Sequence, residues 1–271
     1  MLTQETFDEI RKIIKKYSGI TFEDKKKYFL ENRVSQHMRE LGMTSFKDYL
    51  LALRLSQERV RELVSKCTVN ETYFYREFYQ LEAFAEELLP EIGAKKQRIR
   101  VLSIPCSTGE EPYTIALIVN EVLGDLKRSK IVGVDIDYAA LRRAEEGIYD
   151  DRSVSKLPDA YLLSYFSRNG RGWEVKPLLR RAVHFMEGNI LDRHFMRSLG
   201  EFEFVFCKNL LIYFDAREQR VAAAHLYDAL ADDGYLFLGH AESMSRISSA
   251  FKPVRVKGAI AYQKEEEEDE E

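Results

Sequence analysis

The stretch SIPCSTGEEPYTIAL, residues 103–117, decides the fold that the sequence predicts. It follows the apolar run IRVLSI at 99–104, which has the composition of a buried strand, and it leads into the helical pattern IALIV at 115–119. Small residues and one glycine separate the two segments. The stretch is therefore a strand–turn–helix corner, and open α/β sheets bind nucleotide-like ligands at such corners.

Strands and helices alternate beyond this corner. The predicted strands are 98–104, 130–134, 182–185, 202–207, 235–239 and 259–263, and the predicted helices are 112–123, 138–147 and 217–231. This order indicates an α/β fold with a mostly parallel, doubly wound sheet. Short polar segments at 151–185 interrupt the alternation, and NGRG at 169–172 predicts a hairpin turn in a small inserted antiparallel β-subdomain.

The N-terminal part of the chain has a helical pattern only. The spacing of Phe7, Ile10 and Ile14 predicts a helix that ends at Gly19, and three more helices are predicted at about 23–41, 46–55 and 56–66. We therefore divide the chain into four parts. They are a helical domain at 1–66, a linker at 67–97 that contributes to the ligand site, an α/β domain at 98–264 and an acidic, disordered tail at 265–271.

Composition excludes several classes of protein. The chain has 271 residues, 45% of them hydrophobic, which is enough for one large domain or two small ones. It has no run of about 18 apolar residues, so we expect no transmembrane helix, and its first residues lack the basic start and apolar core of a secretory signal. Cys67, Cys106 and Cys207 show no CxxC spacing. This predicts neither a metal site nor a disulfide framework and favours the cytoplasm.

Charge is unevenly distributed along the chain. The formal net charge is −4, but the tail EEEEDEE contributes seven acids, and the rest of the chain carries +3. Residues 1–66 hold fourteen Lys and Arg against ten Asp and Glu. This basic excess suggests an acidic partner, and a merely solvated surface is the alternative.

The turn in the corner stretch lacks the glycines of known phosphate-binding loops. Gly109 stands alone, so neither G-x-G-x-x-G nor G-x-x-x-x-G-K-[ST] is present. Glu110 and Glu111 at the predicted helix start would repel a phosphate and would suit a cationic ligand such as an amine or a sulfonium. Alternatively, these two acids only complement the helix dipole.

An acid ends the next predicted strand. Asp135 lies at the end of VGVD, and an acid in this position typically pairs with ribose hydroxyls. Helix capping is the alternative, and we assign that role to Asp137. A nucleoside with a cationic end and no pyrophosphate fits these features, as S-adenosylmethionine does.

Two further segments could reach such a ligand. Asn209 follows the predicted strand 202–207, at the same edge of the sheet. The polar and aromatic segment TVNETYFYRE at 68–77 could direct Asn70, Thr72 and Arg76 into a cleft, or it could simply pack between the domains.

Together these segments resemble the chemotaxis receptor methyltransferases, the CheR-type S-adenosylmethionine-dependent protein-glutamate methyltransferases. The resemblance rests on TVNETYFYRE, SIPCSTGEEPYTIA, GVDIDYAALRRAEEGIY, CKNLLIYFD and DDGYLFLGHAES, in the order of the family. It implies a helical N-terminal domain, a methyltransferase α/β domain with an inserted β-subdomain, and methyl transfer from S-adenosylmethionine to receptor glutamates. The products would be glutamyl methyl esters and S-adenosylhomocysteine, with no metal required.

The resemblance also implies which residues bind the ligand. Asn70, Thr72 and Arg76 would contact the methionine end, and Glu111 or, failing that, Glu110 would contact the amino group. Asp135 would bind the ribose, and Asn209 and Leu210 would line the adenine and methionine side. Leu226 and Tyr227 would complete the pocket wall. Pro105 and Lys208 depart from the family pattern, which has a small residue and an arginine there, but neither departure removes a proposed ligand group.

A glutamate nucleophile is already ionised at neutral pH and needs no general base. We therefore predict that catalysis consists of alignment, with Arg76 as the residue that orients the carboxylate, unless Arg76 forms a structural salt bridge to Glu77 or to a neighbour. We expect receptors with an acidic helical coiled coil to bind Lys26, Arg33 and His37 on one helix face, unless that face is only solvated. We also predict a monomer that binds no nucleic acid and does not insert into a membrane.

Three other functions compete with this interpretation. An NAD-dependent dehydrogenase could share the topology, but the glycine fingerprint is missing. A module that senses S-adenosylmethionine without transferring methyl would share the cofactor motifs. A nucleic-acid methyltransferase is disfavoured because the chain lacks an N/D-P-P-Y/F motif and has a sequence pI near 5.9.

Overall fold

Helices make up most of the first of two units into which the chain divides. The computed structural model describes residues 2–265, and the predicted acidic tail lies outside the described residues except for Glu265. The first unit comprises the chain up to Val69 together with Tyr213–Glu218, and the second comprises Asn70–Ile212 and the chain from Gln219 onward.

The helices of the first unit form where capping residues and apolar periodicity coincide. They are α1 (Gln4–Ser18), α2 (Lys27–Glu40), α3 (Phe46–Leu55) and α4 (Gln57–Cys67), with a 3₁₀ turn at Asp24–Lys26 before α2. The side chains of Thr3, Ser45 and Ser56 accept N–H bonds at the starts of α1, α3 and α4. Phe7 and Ile10, at helical spacing on α1, are fully buried in the core of this unit.

The second unit contains the strands and the remaining helices. The strands are β1 (Ile99–Ser103), β2 (Ser129–Asp135), β3 (Ile148–Tyr149), β4 (Phe166–Asn169), β5 (Gly172–Val175), β6 (Val183–Glu187), β7 (Phe202–Cys207), β8 (Leu230–Leu238), β9 (Phe251–Val256) and β10 (Ala259–Lys264). The helices are α5 (Phe78–Ala83), α6 (Leu89–Lys95), α7 (Glu110–Leu123), α8 (Tyr138–Glu146), α9 (Asp151–Val154), α10 (Asp159–Tyr165), α11 (Pro177–Arg180), α12 (Arg193–Leu199) and α13 (Ala216–Ala229), which begins in the first unit. A π-helical turn at Phe84–Leu88 joins α5 to α6, and 3₁₀ turns lie at Leu126–Arg128, Leu211–Tyr213 and Met244–Arg246.

The larger sheet confirms the predicted α/β fold class. Its strand order among the described residues is β6-β2-β1-β7-β8-β10-β9. Neighbouring strands are parallel from β6 to β8, whereas β10 and β9 are antiparallel. The inserted antiparallel β-subdomain is also confirmed, as the sheet β3-β5-β4, and Asn169 pairs with Gly172 across the predicted hairpin.

The order of the parallel strands creates a switch point between β1 and β7. From β1 the chain continues outward to β2 and β6, and from β7 it continues in the opposite direction to β8. In doubly wound sheets, ligands bind outside the carboxyl ends of the strands at this point. Ser103, Asp135 and Cys207 end β1, β2 and β7, so the segments that follow them surround the candidate site.

The segment at 67–97, predicted as a linker, is largely helical, and from Asn70 onward it belongs to the second unit. Phe84 is fully buried, and its ring meets those of Phe204, Phe206 and Phe237 on the sheet at centroid distances of 4.9, 5.4 and 6.5 Å. Such aromatic packing buries a large apolar area. Helical structure follows because the apolar residues of this segment cover one face of the sheet.

Two more details differ from the expectation. Helix α7 begins at Glu110, two residues before the predicted start. The sequence DDG at 232–234, predicted as a turn, lies within β8, where the pairing with β7 is irregular between Phe202 and Phe204. A bulge of this kind absorbs turn-forming residues without ending a strand.

Two properties of the described residues bear on the class of protein. None of their helices is long and apolar enough to cross a membrane. The three cysteines are free and buried.

Candidate active site

Asp135 lies at the carboxyl end of β2 and is 4% exposed. Its two carboxylate oxygens accept N–H bonds from Ser107 at 2.7 Å and from Asp137 at 2.8 Å. Burial raises the pKa of Asp135 to about 6, and the backbone bonds oppose the rise only in part. Each oxygen keeps a further lone pair, so this acid can also accept hydrogen bonds from a pair of hydroxyl groups.

Asn70 connects the turns that follow β1 and β2. Its amide nitrogen donates to Asp137 at 2.7 Å, and its amide oxygen accepts a bond from the hydroxyl of Ser107 at 2.9 Å. Asp137 also caps α8 by accepting the N–H groups of Ala139 and Ala140, which confirms its predicted capping role. The structure therefore brings Asn70 and Asp135 to the same edge of the sheet.

Gly109 is required for packing between helices. Its φ is +94°, and an added Cβ would lie 2.8 Å from Cβ of Ala144 and 2.9 Å from the hydroxyl of Tyr149. The N-terminus of α7 therefore approaches α8 closely only because this residue is glycine.

Glu111 faces the switch point between β1 and β7. One of its oxygens accepts the hydroxyl of Ser103 at 2.8 Å, and the other lies 2.8 Å from Nζ of Lys208. Lys208 immediately follows β7 and also lies 3.4 Å from a carboxylate oxygen of Glu77. An acid at this position can hold a cationic group of a ligand.

Glu110 does not share this position, which corrects its assignment to the ligand site. It is 2% exposed, and its oxygens accept bonds from the hydroxyls of Thr108 at 2.6 Å and Ser153 at 2.9 Å. Burial raises its pKa. Adjacent residues on a helix point about 100° apart, so Glu110 turns toward α9 while Glu111 turns toward β1 and β7.

Asn209 is held in a left-handed conformation with φ +59°. Glu242 fixes this loop by accepting the backbone N–H groups of Asn209 at 2.7 Å, Leu211 at 2.7 Å and Gly239 at 2.9 Å. Leu210 lies between these bonds and is half-buried. Glu242 was missed as a site residue, although it belongs to the GHAES segment that contributed to the resemblance.

The structure places Leu226 and Tyr227 away from the residues described above. Leu226 is fully buried within the fold. The ring of Tyr227 contacts that of Phe251 at 5.5 Å and Nζ of Lys264 at 4.9 Å. Lys264 pairs with Asp232 near the start of β8, so Tyr227 lies at the opposite edge of the sheet.

The loop after β6 meets the end of β2. The N–H of Gly188 donates to the carbonyl of Asp135 at 2.9 Å. Nδ1 of His225 donates to the carbonyl of Ile190 at 2.7 Å, which anchors the same loop. The parallel pairing of β6 with β2 is the signal that would have located it, because neighbouring parallel strands end at one edge.

Arg76 and Thr72 lie in the segment that leads from Asn70 to α5, and both are half-buried. The guanidinium of Arg76 bonds to the carbonyl of Glu71 and lies 5.9 Å from the ring centroid of Tyr73. Glu77 pairs with Lys208 and His240 rather than with Arg76, and the structural partner of Arg76 is its neighbour Glu71 instead. The role of Arg76 stays a prediction.

The three residues predicted to bind a receptor do not share one exposed face. His37 is 1% exposed and is bonded to the hydroxyl of Tyr49 at 2.8 Å and to Glu62 at 3.1 Å. Burial lowers its pKa. This corrects the assignment of His37, because the apolar stripe of α2 turns its ring into the core. Lys26 is exposed and Arg33 is half-buried, so receptor binding stays a prediction for these two residues.

A separate cavity lies elsewhere in the second unit. It has a volume of about 480 Å³, lies beside Tyr113, Arg180 and His184 and shares no residue with the edge described above. Among residues 2–265, no group of three or more His, Cys, Asp and Glu side chains is suited to a metal ion.

The donor set at the switch point fits S-adenosylmethionine. Asp135 supplies an acceptor for hydroxyls, Glu111 supplies an anion for a cationic end, and the turn after β1 lacks a glycine-rich cradle for a pyrophosphate. A doubly wound sheet with this edge defines the class of S-adenosylmethionine-dependent methyltransferases.

Comparison with known proteins defines the class further. Residues 70–260 match the family described as CheR methyltransferase, SAM binding domain, and residues 5–68 match CheR methyltransferase, all-alpha domain. The chain belongs to the CheR methyltransferase family.

Similar relatives are named as chemotaxis methyltransferases. Chemotaxis protein methyltransferase 2 of Vibrio cholerae serotype O1 is 39% identical over 97% of this chain and 94% of its own length. Chemotaxis protein methyltransferase 1 of Pseudomonas aeruginosa is 33% identical over 94% of this chain and 96% of its own length. Chemotaxis protein methyltransferase of Borreliella burgdorferi is 32% identical, over 90% and 89%.

Proposed function

We propose that this chain transfers the methyl group of S-adenosylmethionine to glutamate side chains of chemotaxis receptors. The products are glutamyl methyl esters and S-adenosylhomocysteine. The observation that carries the proposal is the pair of acids at the switch point, Asp135 and Glu111, in a chain that matches the CheR family over both of its domains. The names of the relatives support a role in chemotaxis.

Each group of the cofactor has a partner in this proposal. Asp135 accepts hydrogen bonds from the ribose hydroxyls, and Glu111 binds the α-ammonium group. Asn209 and Leu210 lie beside the adenine and methionine parts, on the loop that Glu242 holds. Asn70, Thr72 and Arg76 close the methionine end.

The reaction needs alignment more than acid–base chemistry. S-adenosylmethionine supplies a methyl group made electrophilic by its sulfonium. A carboxylate oxygen forms a bond to the methyl carbon as the carbon–sulfur bond breaks and its electron pair stays on sulfur. The nucleophile has an ordinary pKa of about 4.3, so no residue of this chain has to remove a proton. Holding the two groups in line supplies several kcal/mol toward the barrier.

Arg76 is the proposed catalytic residue, because a guanidinium can orient a carboxylate through two parallel N–H bonds. Its contacts with Glu71 and Tyr73 hold the side chain within its own loop and leave the other guanidinium donors available to bind. Leaving the carboxylate ionised is essential, because a fully apolar site would favour the protonated acid.

Receptor recognition is assigned to the first unit. Lys26 and Arg33 present positive charge that would attract the acidic helical coiled coil of a receptor. The proposal places the enzyme in the cytoplasm as a monomer, where it would meet the cytoplasmic part of such a receptor.

Methyl-labelled S-adenosylmethionine tests the proposal. The protein is incubated with receptor-containing membranes from the same source, and the receptor band is then treated with base. We expect base-labile label that is released as methanol, and Arg76→Ala should abolish it. Cofactor binding without transfer to the receptor would instead indicate a sensing module or a different substrate, and label on nucleic acid would indicate the other methyltransferase class.

A further inference from the structure

Three charged side chains form a buried cluster at the switch point. Nζ of Lys208 lies 2.8 Å from Glu111 and 3.4 Å from Glu77. The side chains of Lys208, Glu77 and Glu111 are only 5%, 8% and 16% exposed. They come from the end of β7, the residue before α5 and the first turn of α7, so the cluster joins separate segments of the second unit.

The cluster carries a net charge, because two carboxylates surround one ammonium group. Burial alone would lower the pKa of Lys208, but Glu111 and Glu77 raise it above its ordinary value. Burial alone would raise the pKa of Glu77, but Lys208 and bonds from His240 keep it below its ordinary value. Both shifts favour the charged forms of Lys208 and Glu77, so the pair Lys208–Glu77 lies beside the second carboxylate of Glu111.

The second acid gives the cluster a charge that a single Lys–Glu pair would lack. A single Lys–Glu pair would be neutral, whereas an additional buried carboxylate costs free energy of desolvation. The oxygen of Glu77 that faces Lys208 is buried and has only this ion pair, without a well-aligned hydrogen bond to any residue among 2–265, whereas the other oxygen accepts the N–H of His240 at 3.2 Å. A group held at this cost suggests a task in binding.

We propose that Glu77 and Lys208 are positioning residues that act through Glu111 and set the cluster's charge to match one ligand ammonium group. Lys208 holds the Glu111 carboxylate at the end of β1. Glu77 shares Lys208, so that Lys208 does not fully neutralise Glu111. This inference rests on the proposed function, in which Glu111 binds the amino group of the cofactor.

The test compares two ligands that differ at the amino-acid end. S-adenosylhomocysteine carries the α-ammonium group, and 5′-methylthioadenosine has the same nucleoside and thioether without it. Calorimetry gives the dissociation constant of each ligand for the full chain. His240 also contacts Glu77, at 3.2 Å, and its side chain is 70% exposed. All titrations are therefore run at one fixed pH.

Four variants distinguish an effect of the cluster's charge on binding from an effect on the stability of the fold. Glu77→Gln removes one negative charge with little change in shape, and Glu77→Gln/Lys208→Met restores a single negative charge on Glu111. Lys208→Arg keeps the charge count of the wild type. Glu203→Gln is the matched control, because Lys96 lies 3.1 Å from Glu203 and 2.7 Å from Asp233 near the opposite edge of the same sheet.

We expect Glu77→Gln to weaken the affinity for S-adenosylhomocysteine about tenfold and to change the affinity for 5′-methylthioadenosine by less than about twofold. In the double variant and in Lys208→Arg, the affinity for S-adenosylhomocysteine should lie within about threefold of the wild-type value. Glu203→Gln should leave the affinity for both ligands unchanged. Affinity for 5′-methylthioadenosine also shows that each variant retains a folded site.

Other results would overturn the inference. Equal losses for both ligands in Glu77→Gln, or a double variant weaker than Glu77→Gln, would mean that the cluster only braces the fold. An unchanged affinity in Glu77→Gln would remove Glu77 from any role in binding. A wild-type protein that is folded and binds neither ligand would overturn the proposed function itself, which is a distinct outcome.

Discussion

At the scale of single residues, neighbouring acids in this chain have different environments. Glu110 and Glu111 are adjacent in sequence, yet one is bonded to two hydroxyls beside α9 and the other pairs with Lys208. Asp135 differs again, because backbone N–H groups hold both of its oxygens. The role of an acid therefore follows from which neighbour its helix or strand position makes it face.

Asp135 should make ligand binding depend on pH. Its pKa of about 6 means that the carboxylate, the better acceptor for ribose hydroxyls, is lost as pH falls through about 6. We expect affinity for S-adenosylhomocysteine to be constant above pH 7 and to decline below pH 6. Asp135→Asn should bind weakly at every pH. Calorimetry from pH 5 to 8 measures this, and a decline that persists in Asp135→Asn would assign the titration to another group.

The same substitution should affect stability in the opposite direction. The folded pKa of Asp135 lies above its ordinary value of 3.8, so its stabilising contribution is fully present below pH 3.8 and is lost as pH rises through about 6. Asp135→Asn should therefore raise the free energy of unfolding at pH 7 by about 1–2 kcal/mol, since the shift is worth about 3 kcal/mol and one acceptor is lost. Urea unfolding at pH 7 and pH 4 tests the sign, because the gain should vanish at pH 4.

Glu242 should be needed for the loop that carries Asn209. An amide has one acceptor oxygen, whereas the Glu242 carboxylate holds three backbone N–H groups. We expect Glu242→Gln to lower the free energy of unfolding by about 2 kcal/mol and to weaken S-adenosylhomocysteine severalfold. Chemical unfolding and calorimetry measure the two effects. A stability loss with unchanged affinity would separate this loop from the cofactor site.

At the scale of elements, the termini of helices and strands position the site. The N-terminus of α7 carries Glu111, and the N-terminus of α8 follows directly from the acid at the end of β2. Short turns separate strand from helix in both cases, so the caps and the glycine of these turns determine where the ligand groups lie.

The cap of α8 should be coupled to ligand binding, whereas the cap of α12 should not. Asp137 and Asp192 each accept two N–H groups at a helix start, but only Asp137 is also bonded to Asn70. Asp137→Ala and Asp192→Ala should each cost about 0.5–2 kcal/mol of stability. Only Asp137→Ala should weaken the affinity for S-adenosylhomocysteine. Equal affinities in the two variants would show that Asn70 does not depend on its bond to Asp137.

Gly109 should tolerate substitution less well than Gly124. Both have positive φ, but an added Cβ meets Ala144 and Tyr149 at Gly109, whereas nothing lies within 4 Å at Gly124. Gly124→Ala should cost about 1–2 kcal/mol from backbone strain alone, and Gly109→Ala about 2–4 kcal/mol because overpacking adds to the strain. Thermal and urea unfolding compare the pair, and similar costs would contradict the packing role of Gly109.

At the scale of the whole molecule, the two units divide the proposed tasks. Residues 1–66 carry a net positive charge, and the acids of the cofactor site lie in the second unit. Receptor affinity and cofactor affinity should therefore respond to different substitutions.

Charge reversal in the first unit should weaken receptor methylation alone. We expect Lys26→Glu/Arg33→Glu to raise the KM for receptor about fivefold or more at low salt and less at high salt, because salt screens exposed charges. Affinity for S-adenosylhomocysteine should not change. Lys12→Glu/Lys47→Glu is the control, since it makes the same charge change on exposed side chains of α1 and α3. Equal effects of the two pairs would indicate a general charge effect rather than a surface at Lys26 and Arg33.

The sequence by itself determined the fold class and the strand–turn–helix corner that lies at the candidate site. Apolar periodicity distinguishes helix from strand within a short stretch of sequence. The strand–turn–helix corner and Asp135 at the end of the next strand can likewise be recognised within a few tens of residues. The capping role of Asp137 was predictable for the same reason, since a cap involves only the adjacent turn.

Only the tertiary structure decided which side chains meet. The direction of α13 places Tyr227 at the opposite sheet edge, and the packing of α2 buries His37. Glu242 and the loop after β6 reach the site through contacts with segments distant in sequence. Lys208 meets Glu77 and Glu111 because strand order places the end of β7 beside that of β1. Such contacts depend on the order and direction in which elements pack, and local periodicity does not encode either of them.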